Sequence, residues 1–334
     1  MYPRGIALLA VAVFATGCAA SADHTDASIT LRAPKGAAPS TTTARPPAGF
    51  TVTGGDSLGE CSYAHEQALL VGVQDDGPAP ATVWMFDPSP STDEAVPPHH
   101  EYWGELKGCP VADPSKGVWP TALSLDWNGT AYVMWTFGLG TKGTSVSRLY
   151  KFDPWGAATC EPVGLDLKGP SGKAFRGGMG FSVRERAGEA DWLFFAGRVD
   201  GDTVNHLSAW DPVGNTSRVF DGVFPTGFTP DRVAGTEDGL LFAFDGPRFV
   251  EIDPNDGSLG AVRSMKIPGH HFPGSGFAFL QDDLWAFESS GSVAASTSVV
   301  HRFDRKSGET FEETTVPVHV AAAAPMTCAP GTAK

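Results

Sequence analysis

The polar residues of this chain that could do chemistry do not form the common catalytic motifs. The sequence has no Gly-x-Ser-x-Gly elbow, no His-Glu-x-x-His and no Walker loop, which are the signatures of serine hydrolases, zinc proteases and P-loop nucleotide enzymes. Asp253-Pro254-Asn255-Asp256-Gly257 lacks the closing Glu of an EF-hand and predicts a hairpin turn. His99-His100 and His270-His271 have no Cys or carboxylate at ligand spacing and predict solvated loops. No metal and no organic cofactor is therefore predicted.

Four polar residues on small, apolar segments are the candidate binding residues: Asp126, Ser182, Arg232 and Glu237. If those segments line an axial channel, a cation and carboxylates at its mouth would bind a polar ligand. The alternative is that these side chains satisfy backbone groups of the segments by hydrogen bonding.

A repeated pattern supplies the elements that must position these residues. Apolar residues at alternate positions end on an aromatic residue or Ile, followed by Asp and usually Pro, and the five copies end at Asp87, Asp153, Asp211, Asp253 and Asp304. Period-two alternation is typical of a strand with one buried face, and Asp-Pro followed by Gly or Ser is turn chemistry. We expect each Asp to accept hydrogen bonds from backbone N–H groups of the turn that follows.

The spacing of the copies predicts a β-propeller. Successive Asp residues are 66, 58, 42 and 51 residues apart, near the repeat length of four-stranded blades. A segment of small residues, such as Gly178-Met179-Gly180, precedes the repeated Asp pattern and suits an innermost strand. A further apolar strand lies between this segment and the Asp pattern. The sequence therefore predicts an all-β propeller over residues 52–330, with five or six blades of mostly four antiparallel strands. The last apolar strand, before Cys328, either completes the first blade or starts a sixth.

The N-terminus predicts export. Arg4 and the apolar stretch 6–14 form a short leader, and Ala15-Thr16-Gly17-Cys18 resembles a lipobox, so residues 1–17 are predicted to be a lipoprotein signal peptide and Cys18 to be acylated. Ordinary cleavage near Ala20 and secretion is the alternative. Residues 18–51 are rich in Ala, Ser, Thr and Pro and predict a tether without ordered structure. We expect an outer-membrane lipoprotein on the periplasmic or surface side.

The four remaining cysteines, Cys61, Cys109, Cys160 and Cys328, suggest two disulfides in an exported chain. A Cys61–Cys328 bond would join the two ends of a closed ring and would leave Cys109–Cys160 as the second pair. The other two pairings, and free buried thiols, stay open.

Composition narrows the class of partner. A net charge of −14 argues against nucleic acid and against an anionic membrane surface as partners, because both need basic patches. Trp103, Trp119, Trp127 and Trp155 lie in or near predicted loops. Exposed aromatic rings beside polar groups bind sugars and peptides, whereas packing between blades is the alternative use.

The chain resembles a family of uncharacterised secreted and lipid-anchored proteins of myxobacteria. The resemblance covers most of residues 61–330 and is carried by Cys109-Pro110, Ser124-Leu125-Asp126, Gly178-Met179-Gly180-Phe181, Ala234-Gly235-Thr236-Glu237-Asp238-Gly239, Phe277-Ala278-Phe279, Ser298-Val299-Val300 and Thr327-Cys328-Ala329-Pro330. It implies export and a propeller fold and transfers no catalytic residue.

These features predict a lipid-anchored envelope propeller that binds a polysaccharide or protein ligand. Two alternatives remain at this stage. The first is a propeller enzyme of the lactonase or sugar-oxidoreductase type with a metal or quinone at the channel mouth, and the second is a structural envelope protein without a ligand.

Overall fold

The computed structural model describes residues 30–32, 66–74, 77–88, 98–138, 145–168, 175–182, 191–199, 204–220, 224–236, 239–265, 275–280, 283–289, 297–304 and 309–326. Among these residues no helix has the length and hydropathy to span a bilayer. The one helical element there is the three-residue 3₁₀ helix Pro114–Lys116. The strands are β1 (Thr30–Arg32), β2 (Ala68–Val73), β3 (Thr82–Asp87), β4 (His99–Glu105), β5 (Trp119–Leu125), β6 (Ala131–Phe137), β7 (Val146–Phe152), β8 (Glu161–Lys168), β9 (Phe175–Ser182), β10 (Trp192–Val199), β11 (Asn205–Asp211), β12 (Thr216–Phe220), β13 (Arg232–Gly235), β14 (Leu241–Asp245), β15 (Arg248–Ile252), β16 (Arg263–Ser264), β17 (Ser275–Leu280), β18 (Asp283–Ser289), β19 (Ser298–Phe303), β20 (Thr310–Val316) and β21 (His319–Pro325).

The strands form five antiparallel sheets, which are the blades of a β-propeller. Blades 1 to 4 are β5–β8, β9–β12, β13–β16 and β17–β20, and blade 5 has the order β21-β2-β3-β4. The innermost strands contact one another in the ring order β5, β9, β13, β17, β21. Five hydrophobic clusters fill the five junctions between neighbouring blades. The chain therefore has five blades, and the predicted sixth is absent from the residues that the structure describes.

The ring closes by pairing the two ends of the chain in one sheet. Strand β21 is the innermost strand of blade 5 and pairs antiparallel with β2, from Ala68 opposite Pro325 to Val73 opposite His319. The Met326 N–H also donates to the Gln67 carbonyl at 2.7 Å. Of the two predicted roles of the last apolar strand, completing the blade formed by the first strands of the ring is confirmed, and that blade is blade 5. Cys61 and Cys328 lie outside the described residues.

The repeated Asp pattern forms the third strand of every blade, β3, β7, β11, β15 and β19. In three copies the carboxylate accepts from the backbone N–H two residues later: Asp153 from Trp155 at 2.9 Å, Asp211 from Val213 at 2.8 Å and Asp253 from Asn255 at 2.8 Å. The predicted structural role of the Asp is thus confirmed at these positions, and the stretch from Asp253 to Gly257 is the predicted turn.

Side chains at the start of the third strand tie each of three blades to the next. The Ser147 hydroxyl donates to the Phe175 carbonyl at 2.7 Å, and the Asn205 amide donates to the Phe228 carbonyl at 2.6 Å. Ser298 makes the equivalent bond to the Val318 carbonyl at 3.0 Å. Each acceptor lies where the chain enters the innermost strand of the following blade, so the bonds fix the position of one inner strand relative to its neighbour.

Glycines allow the innermost strands to approach closely. A Cβ at Gly178 would overlap the backbone of Arg232 on β13, and a Cβ at Gly276 would lie 2.6 Å from the Ala323 nitrogen on β21. These contacts are with backbone, which cannot rotate away as a side-chain tip can. The Gly-rich and Ala-rich composition of the inner strands is therefore a steric requirement of the ring.

A disulfide joins Cys109 to Cys160. It connects the segment that leaves blade 5 with the segment that enters the outer strand of blade 1. Backbone bonds support the same junction, from the Lys107 N–H to the Ala158 carbonyl and from the Cys160 N–H to the Lys107 carbonyl, at 3.1 and 2.7 Å. One of the two favoured disulfides is thus confirmed.

Strand β1 lies inside the segment that composition predicts to be a tether. It pairs antiparallel with β8, the outer strand of blade 1, with Thr30 opposite Lys168 and Arg32 opposite Asp166. For these three residues the prediction of a segment without ordered structure is wrong, because the exposed outer edge of β8 offers backbone partners that composition does not reveal. Cys18 and the rest of residues 18–51 lie outside the described residues.

We expect Gly178→Val to lower the free energy of unfolding by at least about 2 kcal/mol, because the new side chain must push β9 away from β13. Gly260→Ala is the control, since its Cβ would meet Glu251 at an ordinary 3.5 Å. Urea unfolding followed by tryptophan fluorescence measures both variants. Equal midpoints for the two variants would contradict the close approach of the strands.

We expect the paired substitution Cys109→Ser with Cys160→Ser to cost about 2–4 kcal/mol, because the bond closes a loop across 51 residues of sequence. Melting curves of the wild-type chain with and without reductant should reproduce most of that loss. A melting temperature insensitive to both the substitutions and the reductant would contradict a stabilising role for this bond.

Candidate functional site

The inner strands define two faces of the ring. All five run in the same sense along the axis, so that Trp119 and His319, the first residues of β5 and β21, meet edge-on on one face, with their ring centroids 5.1 Å apart. On the opposite face the Phe181 N–H of β9 donates to the Ser124 hydroxyl of β5 at 2.8 Å, near the ends of both strands. We name these the start face and the end face.

The turn after β5 places Asp126 on the end face, toward blade 2. The Asp126 N–H donates to the Thr130 carbonyl at 3.0 Å, and the Thr130 N–H donates back to Asp126 Oδ1 at 2.8 Å. Gly129 takes the left-handed conformation, φ 79°, that the predicted Asn-Gly turn requires. The turn therefore holds the carboxyl in one orientation, with 6% of the residue exposed.

Blade 2 brings two more carboxylates to the same place. Asp191 directly precedes β10, and its Oδ2 accepts from the Trp127 N–H of blade 1 at 2.7 Å. Asp211 ends β11 and is also buried. The charges of Asp126 and Asp191 influence each other, as do those of Asp191 and Asp211. Asp191 thus lies within electrostatic reach of both Asp126 and Asp211, where blades 1 and 2 join.

Tyr132 completes the group. Its ring packs edge-on against Phe181 at 5.3 Å and against Trp210 at 6.2 Å, and the residue is 5% exposed. We name Asp126, Tyr132, Asp191 and Asp211 the acidic junction.

Burial and mutual repulsion dominate the electrostatics of the acidic junction. Burial raises the pKa of Asp126 to about 7, with a smaller contribution from Asp191 and against the opposing effect of the Thr130 N–H. Burial and then Asp211 raise the pKa of Asp191, while the Trp127 N–H lowers it. The pKa of Tyr132 is raised by burial and by all three carboxylates, which places its phenol within their electrostatic reach. The junction can accept hydrogen bonds and stabilise positive charge, and one of its carboxyls exchanges its proton near neutral pH.

The sequence-predicted binding residues do not form one site. Asp126 belongs to the acidic junction, whereas the Ser182 hydroxyl points to blade 3 and donates to the Gly239 carbonyl at 3.2 Å. Arg232 begins β13 on the start face, at the other end of the channel, and donates to the Asp231 carbonyl at 2.7 Å. Glu237 lies outside the described residues. For Ser182 the alternative of a structural hydrogen bond to backbone is confirmed.

Sequence reasoning missed Asp191, Asp211 and Tyr132 as members of one group. Asp211 belongs to the repeated pattern and was explained by its turn. Tyr132 carries the signal that could have found the site, because it places a phenol on β6, the buried middle strand of its blade, where the equivalent strands carry apolar side chains at most positions.

The tryptophans and histidines singled out in the sequence have structural contacts. Trp155 is buried and lies 5.3 Å from Trp103 across the junction of blades 1 and 5, so packing between blades is confirmed for this pair. Trp127 is half-buried beside the acidic junction.

His99 and His100 begin β4, so the prediction that they lie in a solvated loop is wrong. The strand reaches them because its aromatic residues pack on β3: the ring of Tyr102 contacts the ring of Trp84, and the His100 ring lies 6.2 Å from Trp84. His270 and His271 lie outside the described residues, and among the described residues no group of three His, Cys, Asp or Glu is placed to hold a metal ion.

Comparisons with known proteins show similarity of structure. No protein-family model matches this chain, and no curated protein matches it. A protein of unknown function from Bacteroides caccae aligns at 10% identity and TM-score 0.40, over 78% of this chain and 99% of that one. TolB from Acinetobacter baumannii aligns at 14% identity and TM-score 0.38, over 75% of this chain and 53% of that one. Glutaminyl cyclase from Myxococcus xanthus aligns at 12% identity and TM-score 0.35, over 63% of this chain and 72% of that one. These similarities transfer no activity to this chain.

We expect Asp126→Asn to stabilise the protein increasingly as pH rises. Because the folded-state pKa of about 7 exceeds the unfolded value near 3.8, the wild-type chain loses stability as pH rises from about 4 to about 7. The Asn side chain keeps the acceptor for the Thr130 N–H and removes this loss. Between pH 5 and pH 8 the difference in unfolding free energy between variant and wild type should grow by about 2–3 kcal/mol.

Asp256→Asn is the control for this pH effect. The Ser258 N–H and then the Ser258 hydroxyl lower the pKa of Asp256, so its carboxylate stabilises the folded state above its pKa and the variant should gain nothing at high pH. Urea unfolding at pH 5, 6, 7 and 8 measures both variants. A pH-independent difference for Asp126→Asn would contradict the burial of this carboxyl.

Proposed function

We propose that this chain is an exported, lipid-anchored binding propeller of the cell envelope that binds a segment of an envelope polysaccharide at the acidic junction. The predicted leader, with acylation at Cys18, supports the anchor. The Cys109–Cys160 disulfide supports an oxidising compartment, where such bonds persist.

The observation that carries the proposal is the acidic junction, in which the charges of Asp126, Asp191 and Asp211 all act on the largely buried Tyr132. The Tyr132 hydroxyl can donate and accept hydrogen bonds, and each carboxylate has further lone pairs that can accept them. A ligand that supplies hydrogen bonds to both the phenol and the carboxylates would satisfy the group, and a polysaccharide has such donors along its length.

The rigidity of the junction supports binding. The carboxyls of Asp126 and Asp211 are fixed by turns within their own blades, and that of Asp191 bridges the two blades through the Trp127 N–H. Groups held in place before a ligand arrives lose little conformational entropy on binding. Half-buried Trp127 borders the same junction and offers an aromatic surface on which a sugar ring can pack.

We expect Tyr132→Phe and Asp191→Asn each to weaken binding of an envelope polysaccharide at least about tenfold, because each removes hydrogen bonds to a buried polar group. The protein without its leader, residues 19–334, would be screened by biolayer interferometry against immobilised lipopolysaccharide, peptidoglycan fragments and capsular polysaccharides. Near-ultraviolet circular dichroism would verify that the variants are folded.

Tyr102→Phe is the matched control, since Tyr102 is half-exposed on β4, the outermost strand of blade 5, and blade 5 contributes no residue to the acidic junction. A polysaccharide that binds the wild type and the Tyr132→Phe variant equally well would place the ligand elsewhere on the propeller. Binding of none of the polymers would contradict the proposed function.

A further inference from the structure

We propose that strand β1, Thr30–Arg32, is a latch that docks the N-terminal segment on the outer edge of blade 1 and holds that blade close to the membrane in the lipid-anchored protein. This inference rests on the anchor in the proposed function and adds to it the position of the propeller above the membrane.

The outer edge of β8 differs from the outer edges of the other blades. Within the described ranges, the outermost strands β4, β12, β16 and β20 pair on their inner side alone, whereas β8 pairs with β7 on one side and with β1 on the other. Leu167 of β8 is 1% exposed, while every residue of β12 except Phe220 is exposed. An unpaired strand edge presents backbone N–H and C=O groups to which another strand can bind. Strand β1 therefore occupies a docking surface on blade 1.

The docked strand also reaches blade 2. Strand β1 contacts β12, the outermost strand of that blade. The register places Leu31 opposite Leu167, which belongs to the hydrophobic cluster between blades 1 and 2. The latch thus lies at the outer rim of the same pair of blades that holds the acidic junction.

The sequence of the N-terminal segment favours docking at this point. Between Cys18 and Phe50 the large apolar residues are Ile29 and Leu31, which stand two positions apart. Alternating apolar residues that include a β-branched one are typical of a strand with one covered face. Pro34 follows soon after, and a proline cannot donate to a strand ladder. The segment therefore contains one short stretch suited to strand pairing.

Docking shortens the chain between the anchor and the propeller. Thr30 lies 12 residues after Cys18, whereas Ala68, the first residue of β2, lies 50 residues after it. A fully extended chain spans about 3.5 Å per residue, so these two lengths reach at most about 40 Å and about 175 Å. The latch thus keeps the edge of blade 1 within about 40 Å of the membrane surface, and its release would let the propeller move about four times as far away.

A double proline variant tests the docking. Adjacent residues of a strand point their N–H groups to opposite sides, so Thr30→Pro with Leu31→Pro removes a donor to β8 whichever residue supplies it. Thr41→Pro with Thr42→Pro is the matched control, since it makes the same change in the same segment outside β1. In the chain of residues 19–334, hydrogen exchange followed by mass spectrometry should show amides of 161–168 exchanging at least about tenfold faster in the β1 variant than in the wild type and the control.

The lipidated protein tests the position above the membrane. Neutron reflectometry of the mature chain on a supported bilayer gives the height of the protein layer. We expect the layer of the β1 variant to extend at least about 10 Å further from the bilayer than that of the wild type, and the layer of the control to keep the wild-type height.

The outcomes separate the latch from the anchor. Unchanged exchange of residues 161–168 in the β1 variant overturns the docking. Faster exchange together with equal layer heights overturns the role in positioning the propeller. A mature chain whose Cys18 carries no lipid by mass spectrometry overturns the anchor of the proposed function and the membrane position with it, while the exchange experiment still decides on the docking.

Discussion

The close approach of five inner strands around one axis is the constraint on which the rest of the structure depends. Where Gly178 meets the backbone of Arg232, and where Gly276 meets Ala323, there is no room for a Cβ. Strands packed this closely force their sheets to radiate outward, and each sheet then faces two neighbours. The hydrophobic clusters lie in the five junctions so formed, so the core of the molecule is divided between blades instead of forming one central layer.

The ring must also be closed, since an open array would expose the inner strand of one end blade. Closure comes from the pairing of β21 with β2, which completes blade 5 from both ends of the chain. The Cys109–Cys160 bond lies next to this seam and links blade 5 to blade 1. A covalent bond and a strand pairing thus both hold the part of the ring where the two ends of the chain meet.

The fold could be predicted from the sequence because its signals are local and repeated. The Asp at the end of each third strand, the small inner strands and the Asn128-Gly129 turn each follow from a few neighbouring residues. The acidic junction could not be predicted in this way. Asp126, Asp191 and Asp211 are far apart in sequence, and they meet because blade 2 packs beside blade 1 in a particular register. Arg232 and Asp126 were expected to lie at the same mouth of the axial channel, but Arg232 begins its inner strand and Asp126 follows the end of its own. Which mouth a residue reaches depends on the direction of its strand, and the local pattern does not give that direction.

Each carboxyl of the acidic junction has two roles. It fixes a turn or a contact between blades, and its negative charge adds to that of its neighbours, so that the group favours a bound proton or a positive charge. The most direct test is a ¹³C NMR titration of the Asp126 carboxyl in the folded chain. The account predicts a midpoint close to 7. A midpoint near about 4, the value of a solvated Asp, would show that blades 1 and 2 do not bury these carboxyls together and would contradict the account.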